Sequence, residues 1–290
     1  MQHPQSQNQG PMPPHGGHMV AQQQQQPSGP VRLPDELVML VGELLHPGER
    51  RVHALEKLIR YHNSVDVFGF LLWHTPGVMA ALVQEITFLY PMLDSLTKES
   101  SGRCCNTLAM LQGVASNADV RIPFVRSQIF MLVYPFLAIK VPNNTYMDNV
   151  RVTALGVIGA LVRMPDPEVI EVLLQCEIFP LCLSNMDSSV AMPAALSTLI
   201  LLRLLSVPNG MHYVTQSYER FYFMLSVLAR VAQRIDSQRL ARYLIGCYAK
   251  LAASVSPQAR LTLRQLIPPI MRDDSLLAFV GQDDVRAMLL

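Results

Sequence analysis

Charge is scarce in this sequence. Of its 290 residues only 16% are Asp, Glu, Lys or Arg, against about 25% in ordinary globular chains. The formal net charge of +1 singles out no class of partner. Long apolar runs are missing too, although 50% of the residues are hydrophobic. A membrane-spanning helix needs roughly 20 consecutive apolar residues. The longest uncharged stretch beyond the N-terminal region, Val67 to Gln84, is broken by His74-Thr75-Pro76-Gly77, so neither a transmembrane helix nor a membrane partner is expected. Residues 1–30 hold no Lys or Arg and no apolar core, and do not read as a secretory signal. The five cysteines, Cys104, Cys105, Cys176, Cys182 and Cys247, form no CxxC pair and no metal-knuckle spacing. Buried free thiols in a reducing compartment are the expectation. Sustained period-2 alternation is absent as well, which argues against strands.

What is present falls into two parts. Residues 1–30 contain nine Gln and six Pro, with no charged side chain. Such a stretch cannot bury enough apolar surface to offset its ordering entropy, so a disordered tail is expected there and a folded domain over residues 31–290. From Val31 onward apolar residues recur at helical spacing, as in Leu37, Leu40, Val41, Leu44 and Leu45. Turn signals such as Pro142-Asn143-Asn144, Pro165-Asp166-Pro167 and Pro208-Asn209-Gly210 separate the blocks.

Four of these blocks align: Thr107–Ser116, Thr153–Val162, Ser197–Ser206 and Tyr243–Ala252, whose starts are 46, 44 and 46 residues apart. Each is an apolar helix followed by a break and another helix. A period of 40–47 residues is that of armadillo or HEAT repeats. Each aligned block is then the innermost helix of a repeat, with neighbours on both sides. This accounts for the stretch from Arg151 to Met164, which is too apolar for a surface helix and too short for a membrane. Gly156 and Gly159 are expected to let an adjacent helix approach closely, offsetting a helix-propensity cost of about 1 kcal/mol each.

No catalytic signature is present: no GxSxG, Walker loop, HExxH or dinucleotide fingerprint. His46, His53, His62, His74 and His212 are scattered without metal-ligand spacing. No catalytic residue, metal site or cofactor is expected, and binding fits better than catalysis. Arginine points the same way. Beyond residue 30 there are 19 Arg but 4 Lys. Between Ser217 and Arg264 lie Arg220, Arg230, Arg234, Arg239, Arg242, Arg260 and Arg264, with Lys250, against Glu219 and Asp236. On one side of a solenoid these would make a groove for nucleic acid or an acidic peptide, with Tyr218, Tyr222, Tyr243 and Tyr248 as stacking surfaces. The alternative is a solvated face whose Arg stems cover apolar area. Met186, Met192, Leu196, Leu199 and Met211 cluster in one repeat, mostly as core, with some able to line a groove for a partner helix or aromatic ring.

Several segments carry a resemblance. They are Leu71–Gly77 (LLWHTPG), Met110–Arg121 (MLQGVASNADVR), Tyr134–Leu137 (YPFL), Leu155–Val162 (LGVIGALV), Glu177–Leu183 (EIFPLCL) and Tyr218–Phe221 (YERF). In this order they resemble the required-for-cell-differentiation (Rcd-type) family, over roughly residues 33–285. That family supplies the armadillo-repeat subunit of the Ccr–Not deadenylase complex. The resemblance implies an all-α, armadillo-like solenoid of about six repeats forming a curved superhelix. It implies a non-catalytic adaptor in mRNA deadenylation, translational repression and decay. Such an adaptor docks on the large Not scaffold subunit and binds short peptides of RNA-binding regulators. Location would be cytoplasmic, including P-bodies, with nuclear residence left open by the family's association with transcription.

The resemblance also carries over a cleft for single-stranded nucleic acid or acidic peptide at Tyr218, Arg220, Arg239 and Arg260, and a peptide groove at Leu196. Direct nucleic-acid binding through this Arg-rich cleft is the alternative function, and a homodimer the alternative state. Gln258 stands where the family has a cleft arginine, Asn149 replaces an aromatic near the peptide groove, and Pro193 enters a helix the family keeps regular.

Overall fold

The computed structural model describes residues 34–62, 67–254 and 257–271, with Val280. The Gln/Pro-rich stretch 1–30 lies outside the described residues. From Asp35 on, every described element is helical. They are α1 (Asp35–Glu43), α2 (Glu49–Leu58), α3 (Phe68–His74), α4 (Val78–Leu89), α5 (Lys98–Ser116), α6 (Ala118–Arg126), α7 (Tyr134–Ala138) and α8 (Thr145–Leu161). They continue with α9 (Pro167–Gln175), α10 (Ile178–Met186), α11 (Ala191–Leu205), α12 (Pro208–Thr215), α13 (Tyr218–Ala232), α14 (Gln238–Ser254) and α15 (Pro257–Leu266). Short 3-10 turns cover Tyr90–Ser95, Ile129–Val133 and Pro269–Met271. No single described helix is long and apolar enough to cross a membrane.

The helices group in threes. α5, α8, α11 and α14 contain the four aligned blocks and pack side by side in that order, with α2 preceding them. The first helices of the triplets, α3, α6, α9 and α12, form a second row, and α4, α7, α10 and α13 a third. Four complete triplets, α3–α5 through α12–α14, are flanked by α1–α2 and by α15. This is a three-helix armadillo-type α-solenoid, and the partial units at its ends account for the expectation of about six repeats.

The punctuation in the sequence becomes helix caps. Asn117 Oδ1 accepts from the amides of Asp119 and Val120, Asn144 Oδ1 from Met147, and Asp166 Oδ1 from Glu168 and Val169. Thr97 and Ser100 close a reciprocal capping box at α5. Pro193 is only the third residue of α11, inside the first turn where no intrahelical amide bond is due, so the helix starts around it undisturbed.

Turns between first and second helices are less legible. Gly77, Gln128 and Glu177 hold positive φ of 86°, 57° and 61° at equivalent turns of three successive repeats. Only one is glycine. A left-handed backbone costs an ordinary L-residue roughly 1–2 kcal/mol, so the packing of α3 on α4, α6 on the following 3-10 turn and α9 on α10 must impose it.

Two glycines permit a close crossing of α3 and α5. A Cβ on Gly69 of α3 would lie 2.3 Å from the carbonyl oxygen of Gly113 in α5, and one on Gly113 would lie 2.8 Å from the Phe68 ring. The expectation for α8 holds only in part. A Cβ at Gly156 would stand 3.0 Å from Gln112 Oε1 of α5, whereas one at Gly159 would meet nothing within 4 Å. Gly159 faces open space and is not a packing residue.

Among the described residues the buried charged side chains Arg51, Glu85 and Arg151 are all paired. Arg51 is 4% exposed; its Nε donates to the Leu44 carbonyl at 2.6 Å and its Nη1 lies 3.1 Å from Glu85 Oε1, while Arg103 bonds the other oxygen of Glu85. Arg51, Glu85 and Arg103 thereby tie α2, α4 and α5 together. In α8, Arg151 Nη1 meets Asp148 Oδ1 at 2.5 Å and Nη2 donates to the Ile139 carbonyl at 2.7 Å.

These contacts set opposite outcomes for two glycine substitutions. Gly69→Ala should destabilise by about 1–3 kcal/mol through overpacking against backbone. Gly159→Ala should stabilise by up to about 1 kcal/mol through helix propensity alone. Denaturant unfolding measures both, and equal effects at the two sites would contradict the packing described.

Candidate functional site

The third-helix row presents a surface built from one repeat position. Leu196 of α11 occupies the place taken by Asn106 in α5, Val152 in α8 and Arg242 in α14, and all four are half-buried. The row runs from an amide through two aliphatic side chains to a guanidinium. One turn before Leu196, Met192 is 42% exposed. Across the helix boundary Arg239 Nη1 of α14 lies 4.0 Å from Met192 Sδ. Asn149 of α8 is exposed next to Val152. Leu196 and Arg239, assigned by sequence to separate sites, thus border the same strip.

Tyr218 and Arg220 sit elsewhere, in the first turn of α13. Ser217 caps this helix by accepting the Arg220 amide at 3.3 Å. The Arg220 guanidinium turns back: its carbon stands 3.8 Å over the Tyr213 ring and its Nη1 donates to the Tyr213 carbonyl. Tyr213 in turn meets Phe179 edge-on at 5.7 Å between centroids. Arg220 therefore closes the α12–α13 corner. Tyr218 is 63% exposed with its ring 6.1 Å from that of Tyr222, and Phe223 is also exposed. Arg260 is exposed on α15.

The arginine series does not form one face. Arg230 on α13 and Arg234, four residues on and just past the end of that helix, converge on Asp187 at the end of α10, with closest approaches of 3.2 and 2.9 Å. They belong to the second-helix row, whereas Arg239 and Arg242 belong to the third. Among the proposed stacking rings, Tyr248 is buried, which raises its hydroxyl above the ordinary phenol range and removes it from any surface. Met186 and Met211 are core; Met192 is the exposed member of the methionine–leucine cluster.

Among the described residues no group of three or more His, Cys, Asp and Glu is placed to hold a metal ion. All five thiols are free. Burial pushes the Cys182 thiol up to about 12 and raises those of Cys104 and Cys247 further, so these three stay protonated and unreactive at neutral pH. Sequence reasoning missed the row through Asn106, Val152 and Arg242. Extending the aligned blocks by one residue upstream would have found it. The Arg239–Met192 and Asp187 contacts join residues more than forty apart, and no local signal announces them.

The family pattern described as "Cell differentiation family, Rcd1-like" matches residues 40–290. The cell differentiation protein rcd1 of Schizosaccharomyces pombe is 41% identical over 242 residues, covering 82% of this chain and 84% of that protein. The protein CAF40 of Saccharomyces cerevisiae is 34% identical over 244 residues, covering 82% of this chain and 64% of that protein. Among solved structures, a designed armadillo repeat protein in complex with the peptide (KR)4 superposes with a TM-score of 0.63 at 15% identity, covering 88% of this chain and 98% of that one. A computationally designed armadillo repeat protein for modular peptide recognition gives 0.65 at 16% identity, covering 87% and 98%. At that identity these two show the fold alone.

The two arginines of the expected cleft should respond differently to truncation. Arg220→Ala loses a stacked cation and a carbonyl bond and should destabilise by about 1–2 kcal/mol. Arg239→Ala, whose described contact is a thioether, should cost under about 0.5 kcal/mol. Thermal unfolding of the two variants separates an anchoring residue from a surface residue.

Proposed function

Since the chain belongs to the Rcd1-like cell differentiation family, we propose that it is a non-catalytic adaptor of the Ccr–Not deadenylase complex. It docks on the large Not scaffold subunit and recruits regulator peptides for mRNA deadenylation, translational repression and decay. It works in the cytoplasm, including P-bodies. One observation carries the peptide-binding part: the strip on the third-helix row, where Val152 and Leu196 lie half-buried between Asn149 and the Met192–Arg239 contact. An extended or helical peptide lays apolar side chains along such a row and finds a guanidinium at its end. A designed armadillo protein that holds a peptide on the same fold supports this reading.

The second reading, direct binding of single-stranded nucleic acid through Tyr218, Arg220, Arg239 and Arg260, draws support from the exposed Tyr218 and Tyr222 rings. It is the weaker one, because Arg220 is engaged by Tyr213 and Arg230 and Arg234 by Asp187.

Affinity purification of the full chain followed by mass spectrometry should recover the Not scaffold and deadenylase subunits; their complete absence would defeat the adaptor reading. Leu196→Asp should keep the scaffold while losing regulator peptides by at least tenfold in affinity. Phosphate-driven binding to oligonucleotides would instead fall steeply with salt and respond to Arg239→Glu.

A further inference from the structure

The connection between α10 and α11 carries Asp187, Ser188, Ser189 and Val190. Arg230 and Arg234 both point at Asp187: Arg230 donates from Nε and Nη2 at 3.4 and 3.2 Å, and Arg234 from Nη2 at 2.9 Å. Two guanidiniums, 47% and 44% exposed, thus share one carboxylate. One carboxylate neutralises one of them. A phosphate monoester, with a charge of about −1.5 to −2 at neutral pH and three acceptor oxygens, matches a pair.

The following two serines line two recesses, and one of these adds further cations. On one side a cavity of about 150 Å³ is lined by Ser188, Ser189, Arg234 and Asp236. On the other a cavity of about 520 Å³ is lined by the same serines with Lys140, Arg151, Asp148 and Asp187. Arg151 is held by Asp148, whereas Lys140 is exposed and has no ion-pair partner among the described residues. Ser188 Oγ accepts the Val190 amide at 3.1 Å, while Ser189 is exposed. Val190 is the N-cap residue of α11 and provides no side-chain cap.

We infer that Ser189 is a phosphorylation site whose phosphate is received in cis by Arg234 and Arg230, displacing Asp187. A protein serine kinase supplies ATP. The Ser189 hydroxyl oxygen attacks the γ-phosphorus, the bond to ADP breaks and the hydroxyl proton passes to the kinase base. The phosphate then carries its charge at the head of α11, one turn before Met192 and two before Leu196. If the third-helix strip binds peptides as proposed above, the modified form rejects acidic ones; the assignment of the site does not depend on that reading.

The test uses full-length chain with phosphoserine installed at position 189 during translation. Relative to unmodified protein, thermal unfolding should rise by roughly 2–4 °C. In a ³¹P NMR titration the second phosphate pKa should fall below its ordinary value of about 6, as measured in the same chain unfolded in urea. Both effects should vanish in the double variant Arg230→Gln, Arg234→Gln, compared with its own unmodified form. An unchanged melting temperature together with a phosphate that titrates as in the unfolded chain would overturn the assignment. So would an equal gain when millimolar inorganic phosphate is added to Ser189→Ala, since the arginines would then form a general anion site without need of that serine.

Discussion

Burial of the third helices between their neighbours is the constraint on which the rest depends. α5, α8, α11 and α14 touch one another in succession, and each also packs on the second helix of its own repeat. Such helices cannot be amphipathic in the ordinary sense, because almost every side faces protein. This explains how a chain with 50% hydrophobic and 16% charged residues folds with no single described helix long and apolar enough to cross a membrane. It also explains why the open strip on the third-helix row is narrow. Only one edge of each third helix is open, and a single repeat position, occupied by Asn106, Val152, Leu196 and Arg242, provides its floor.

Charge follows from the same constraint. In a chain with few ionisable groups, buried ones need dedicated partners, since an unpaired buried charge is far costlier than a solvated one. Arg51 and Arg103 share Glu85, and Arg151 takes Asp148 and a carbonyl. Even on the surface the arginines are largely committed. Arg220 stacks on Tyr213, and Arg230 and Arg234 meet at Asp187. A count of local positive charge therefore overstates what a polyanion would meet, and the third-helix strip, with Arg239 at its border, is the better-defined surface.

Much of the architecture was legible because a solenoid repeats its own local rules. The 46, 44 and 46 spacing locates α5, α8, α11 and α14, and the Pro/Asn/Asp punctuation coincides with caps at Asn117, Asn144 and Asp166. Less legible were the left-handed turns at Gln128 and Glu177. Nothing in those residue types advertises positive φ, and the conformation is imposed by the helices on either side. Gly156 and Gly159 show the same limit: two glycines three residues apart look equivalent in sequence, yet one faces Gln112 and the other open space.

By itself, then, the sequence determined the helical class, the repeat length and the order of the helices, because periodicity and capping are local properties that neighbouring residues carry. It also carried the family resemblance, because quoted segments such as LGVIGALV and YERF survive at sequence level. Tertiary structure alone decided which charged and aromatic groups remain available. Whether an arginine is a ligand or an anchor depends on a partner one repeat away, as with Asp187 for Arg230 and Arg234 or Met192 for Arg239. A distance of forty-odd residues along the chain contains no information about that contact until the helices stack.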